Sequence, residues 1–129
     1  MSRRPLSELP LLNESERSCL ERYLDLLCKE LEPSLVEVSV YGSVARGESW
    51  PQGIPIRSDL DLLVVTESPV PEDVVAQLVD ATFPLFLESG RVIGPVFRTE
   101  EELAHPKTER AAEFVAQARR DAITVYRRT

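Results

Sequence analysis

Apolar residues recur at helical spacing through LLNESERSCLERYLDLLCKELEP, where Leu20, Tyr23, Leu24, Leu27 and Leu31 share one face of an amphipathic helix. Asn13 is placed to cap this helix, Glu16 follows three residues on as the reciprocal partner, and Pro33 stops it. The period then shortens to alternation. In LVEVSVYGS, Val36, Val38 and Val40 fall on one face and Glu37, Ser39 and Tyr41 on the other, which predicts a half-buried strand ending at Gly42. DLDLLVVT is more uniformly apolar and is predicted as a central strand. SPVPEDVVAQLVDATFPLFLESG has Pro71 near a helix start, acids in the first turn and Gly90 at its end. Pro84 within it predicts a kink or a split into two helices. RVIGPVFRT reads as a third strand, placed at an edge or a bulge by Pro95. Thr99 with Glu102 makes a second capping box over a short helix that ends near Pro106, and a last amphipathic helix is predicted from about Glu109 to Tyr126.

The order helix, strand, strand, helix, strand, helix contains no internal repeat, low-complexity tract or linker. It predicts an α/β (α+β) fold, a small mixed sheet flanked by helices, in one domain over residues 1–129. A composition of 43% hydrophobic and 29% charged residues belongs to a globular chain with its own core rather than to a disordered one.

The net charge of −7 opposes non-specific binding to nucleic acid, which needs Lys and Arg to neutralise phosphates. It leaves a nucleotide substrate open, because a divalent metal reverses the local sign. Basic residues gather near the ends, at Arg3, Arg4, Arg119, Arg120, Arg127 and Arg128, and read as a solvated face. Cys19 and Cys28 lie on one helix about 13 Å apart, too far to bridge. With His105 the only histidine, neither has a metal-ligand neighbour, and both are expected to be reduced, buried and structural. No apolar run approaches the ~20 residues that a bilayer needs, and MSRRPLSELPLL lacks a continuous apolar core. The expectation is a soluble cytoplasmic protein that binds no membrane.

Asp59 and Asp61 are two apart at the start of the second strand, so they project to one face while Leu60 and Leu62 face the core. Carboxylates this close repel unless a cation sits between them, and a hard divalent ion with oxygen ligands is the natural partner. Gly42-Ser43 follows the preceding strand and offers backbone N–H groups and a hydroxyl where the chain can approach a phosphate. If the two strands pair, a phosphate cradle meets a metal-binding acid pair at one sheet end, which is the chemistry of phosphoryl transfer. Alone, D-x-D is as readily a solvated strand end and G-S merely a turn. Their order, with a strand on each side, is what makes them specific.

GSVARGE followed by SDLDLLV resembles the nucleotidyltransferase superfamily that includes DNA polymerase beta, and especially its stand-alone minimal nucleotidyltransferases. LESGRVIGPVFRTEEEL and ARRDAITVY are similar to the later part of those domains, so the resemblance spans about residues 14–126. It implies a polymerase beta-like fold and Mg²⁺-dependent (or Mn²⁺-dependent) transfer of a nucleoside monophosphate, usually from ATP, to a hydroxyl acceptor. By the motif match, Gly42 and Ser43 hold the triphosphate and Asp59 and Asp61 bind metal; Arg46 contacts phosphate or makes a surface salt bridge.

Two departures from the family pattern stand out. Residues 44–58 put fifteen positions between G-S and D-x-D, where small members have about ten. The surplus around Trp50 forms a lid, a base-stacking platform or simply a longer loop. The family also supplies a third carboxylate from a later strand as metal ligand and general base, but RVIGPVFRT has no acid and Gly94 stands about where one is expected. Glu88 and Glu37 are the remaining candidates. The resemblance implies a helical HEPN-type toxin as protein acceptor and partner, or a homodimer that completes the pocket. A catalytically weak nucleotide-binding antitoxin and a small-molecule, antibiotic-type transferase are the alternatives.

Overall fold

The computed structural model describes residues 2–3, 12–42, 45 and 59–128. The elements, in chain order, are β1 (Ser2–Arg3), α1 (Glu14–Leu31), β2 (Leu35–Tyr41), β3 (Leu60–Thr66), α2 (Glu72–Asp80), α3 (Thr82–Ser89), β4 (Ile93–Thr99), α4 (Glu100–Ala104), α5 (Glu109–Asp121) and β5 (Ile123–Arg127). The strands form one mixed sheet in the order β1-β5-β2-β3-β4. β3 and β4 are parallel, and the other neighbours are antiparallel.

Both predicted capping boxes are present. Asn13 and Glu16 exchange bonds of 2.8 Å at the start of α1, and Thr99 and Glu102 do the same at α4. Glu16 also accepts from Arg91 at 3.2 Å in a fully buried ion pair, which ties the start of α1 to the approach to β4. The segment carrying Pro84 is split in two at Ala81, and Pro84 lies in the first turn of α3, where its missing N–H costs nothing. Pro95 is on the edge strand β4, as its lack of a donor demands.

The two faces of the sheet are distinct. Val38, Val40, Leu60, Leu62, Val64 and Ile93 pack with Leu20, Tyr23, Leu24 and Leu27 of α1 and with Leu78 of α2 in the main core. Leu63 and Val65 look the other way, onto Ala118 and Phe114 of α5.

Three expectations are corrected here. The last helix ends at Asp121 rather than reaching Tyr126, and Ile123–Arg127 is a strand between β1 and β2. β-branched Ile123, Thr124 and Val125 suit a pleated strand, and pairing satisfies the free edge of β2. The polar face of β2 is not solvated, because α5 covers it and Glu37 and Ser39 are buried. Arg119 and Arg127 are not merely a solvated face, since both pair with Glu37, at 2.5 Å and 3.0 Å. Cys19 is buried as expected, whereas Cys28 is only half-buried; neither forms a disulfide.

Candidate active site

Strand pairing brings Gly42 and Asp61 together at one end of the sheet. In the antiparallel β2–β3 register Tyr41 lies opposite Asp61, and in the parallel β3–β4 register Asp61 lies beside Gly94. Asp61 therefore occupies the middle strand, flanked by the last residue of β2 and by the second of β4. Asp59 stands just before β3 and is exposed, whereas Asp61 is half-buried. The backbone between them is fixed, because the Leu60 N–H donates to the Val92 carbonyl at 2.8 Å.

Gly42 follows Tyr41 with φ +79°, a left-handed conformation that suits glycine. A Cβ built on it would lie 2.5 Å from Asp61 Oδ2, so the carboxylate occupies the space that a side chain would fill. Here a turn with backbone donors and an acidic side chain are in contact. Ser43, Arg46 and Trp50 lie outside the described residues.

The two remaining acid candidates are held elsewhere. Glu88, on exposed α3, accepts from Arg22 of α1 at 2.5 Å, and α1 packs on the sheet face opposite Asp61. Glu37 shares the face of Asp61 but accepts from Ser39 at 2.7 Å as well as from Arg119 and Arg127. A carboxylate held by three donors is tied into the fold rather than turned toward Asp61. The structure thus brings neither beside Asp61, and the position in register with it is Gly94, whose own Cβ would be 3.8 Å from Asp61 Oδ1.

Sequence reasoning missed the surroundings of this site. The Tyr41 ring meets Phe114 of α5 edge-on at 5.7 Å, and the Arg98 guanidinium lies 5.6 Å over the same Phe114 ring. Burial raises the pKa of the Tyr41 hydroxyl; the negative charge of Asp61 adds to this and Arg98 opposes it. The only advance signal was the alternation that set Tyr41 on the polar face of β2.

Asp59 and Asp61 fit a hard divalent cation. Mg²⁺ takes one or two carboxylates and fills its remaining positions with water and substrate phosphates, and such oxygen donors are the ones present. Among the described residues, no group of three or more His, Cys, Asp or Glu is placed to hold a metal ion.

The comparisons agree with this geometry. A family model described as a nucleotidyltransferase domain matches residues 20–121. The chain belongs to that family. It is also similar to a solved structure described as a candidate minimal nucleotidyltransferase, with 32% identity over 91% of this chain and 97% of the other, at a TM-score of 0.52. A second structure, of a mutant of the toxin–antitoxin pair MntA-HpeT, is similar in fold at 17% identity, covering 84% of this chain and 73% of that one, with a TM-score of 0.50. No curated protein sequence matches. The fold is that of a nucleotidyltransferase of the minimal type, and among the described residues no helix is long and apolar enough to cross a membrane.

Proposed function

We propose that this chain is a single-domain enzyme that transfers a nucleoside monophosphate, AMP from ATP, to a hydroxyl of a partner protein, forming the acceptor O–Pα bond as the Pα–O–Pβ bond breaks and pyrophosphate leaves, with Mg²⁺ or Mn²⁺ held by Asp59 and Asp61. The observation that carries the reading is the contact of the Gly42 turn with the Asp61 carboxylate beside the D-x-D strand. The turn presents backbone N–H groups to the triphosphate, helped by Ser43 and Arg46, while Asp59 and Asp61 supply oxygen ligands from a fixed strand end. The chemistry a bound ion adds is polarisation of the α-phosphate and compensation of the charge that develops on attack. Asp61 is preorganised for this by its position between two paired strands.

Fold similarity to one member of a toxin–antitoxin pair supports a helical toxin, of the HEPN type, as partner and acceptor in the cytoplasm. The test uses α-labelled ATP, Mg²⁺ and a co-expressed neighbouring toxin. Label should pass to the toxin with wild-type protein and not with Asp59→Asn/Asp61→Asn.

A second reading has its own observation. Gly94, where the family's third carboxylate is expected, brings no acid to Asp61. This favours an antitoxin that binds Mg²⁺ and a nucleotide, transfers poorly and silences its partner by occlusion. Toxin neutralised equally by wild type and by Asp59→Asn/Asp61→Asn would establish that reading over the first.

A further inference from the structure

Phe114 also borders a concavity in the surface. It has a volume of about 760 Å³, a size suited to a small ligand, and is bounded by the end of β4, by α4 and by the first turns of α5. Arg98, Lys107 and Arg110 line it, with Glu102 as the only carboxylate among the described residues. His105 lines it as well. Glu102 is already engaged, since its side chain accepts from the Thr99 N–H at 3.0 Å in the capping box. The cavity is therefore positive in a chain whose net charge is −7.

Pro69, Pro106, Ala111, Val115 and the Phe114 ring give it an apolar surface beside these charges. Arg98 sits on that ring at 5.6 Å, which orients a planar donor fork against a flat surface. Phe114 also meets Tyr41, the residue opposite Asp61, so one aromatic contact lies between the cavity and the β3 strand end.

We infer that this cavity binds a small phosphate-bearing ligand, independently of metal and of Asp59 and Asp61. Arg98 and Arg110 give charge-assisted, fork-like hydrogen bonds to phosphate oxygens, and Lys107 adds a point charge. The adjoining aromatic and apolar surface takes the rest of the molecule, which is either a nucleotide or another phosphate ester. The inference stands on the cavity alone and does not need the transfer reaction.

The test is calorimetric titration of inorganic pyrophosphate, in EDTA, into three proteins: wild type, Arg98→Gln/Lys107→Gln/Arg110→Gln, and Asp59→Asn/Asp61→Asn. Wild type and the aspartate variant should bind saturably with similar affinity, and the cavity variant about tenfold or more weakly. Binding should weaken as KCl is raised, because the site is open to screening. A parallel titration with AMP separates the two sources. Tighter binding than pyrophosphate identifies a nucleotide, and equal or weaker binding identifies a non-nucleotide phosphate. Independently of any variant, pyrophosphate should shift the amide resonances of Thr108, Ala111 and Phe114 in the wild type. No saturable binding in EDTA, unchanged affinity in a folded cavity variant, or loss of binding in the aspartate variant would each overturn the proposal. Failure of nucleotidyl transfer would leave it untouched.

Discussion

Gly94 lies directly beside Asp61 in the parallel register of β3 and β4, and the space where its Cβ would stand is 3.8 Å from Asp61 Oδ1. That is an ordinary contact distance, and Gly94 lacks the positive φ of Gly42 and Gly90. A side chain is sterically admitted there. Gly94→Asp should therefore place a carboxylate next to Asp61 with little loss of stability and supply a proton acceptor to the acceptor hydroxyl. General-base catalysis is worth about 100-fold or more. Label transfer from α-labelled ATP should rise by about that factor, and an unchanged rate in a folded variant would show that the site does not lack a base.

The reverse holds at Gly42. Alanine there has a left-handed φ and a Cβ only 2.5 Å from Asp61 Oδ2, so the carboxylate must move. The expected loss of stability is about 1–2 kcal/mol. The affinity for Mg²⁺ with a non-hydrolysable ATP analogue should fall about tenfold, because the ligand geometry is displaced. Denaturant unfolding and calorimetry separate the two effects.

Glu37→Gln tests the role of the buried acid between Arg119 and Arg127. Removing its charge leaves two guanidinium groups competing for a neutral amide, at a cost of about 2–4 kcal/mol in urea unfolding. Nucleotide binding at temperatures where the variant remains folded should be unaltered. A selective loss of transfer without loss of stability would instead make Glu37 the missing base.

Arg91→Ala removes the guanidinium that pairs with the charge of Glu16, an acid buried at the start of α1. The predicted cost is about 3 kcal/mol, more than the capping box alone supplies. The midpoint of urea unfolding should fall accordingly while the m-value stays constant.

Alkaline pH provides a further test. Burial raises the pKa of Tyr23, whose hydroxyl donates to the Leu78 carbonyl at 2.8 Å, and of Tyr41. Both raised groups favour the folded state in full below their unfolded pKa of about 10, and this contribution disappears as pH rises through the folded values. Phenolate absorbance should thus lag behind that of a model tyrosine, and stability should drop steeply above about pH 10. Tyr23→Phe should be less stable at neutral pH and lose less on going alkaline.

Much of the fold was legible because its signals are local. The Asn13–Glu16 and Thr99–Glu102 boxes and the prolines at positions 84 and 95 each act within a few residues of themselves. The irregularity between Leu35 and Glu37, by contrast, turns Val36 to the face of Tyr41, against the predicted alternation. Ile123–Arg127 was misread because Ile123 and Tyr126 continue the helical spacing of α5, and only the open edge of β2, far away in sequence, decides for a strand. The same distinction divides the site. Asp59, Asp61 and Gly42 announce themselves by spacing, whereas Tyr41, Phe114 and Arg98 become neighbours only through strand register and ring contacts.

The insertion of β5 between β1 and β2 has a consequence for the chain as it is made. Every other neighbour of β2 is in place once β3 has been synthesised, yet the second edge of β2 stays unpaired until Ile123–Arg127 has left the ribosome. During that interval the nascent chain presents an apolar strand with free N–H and C=O groups, the template on which foreign strands add. Glu37 waits with it, without Arg119 and Arg127 to balance its charge. Ribosome-bound chains stalled before residue 123 should therefore depend on chaperones, and those released with β5 exposed should not.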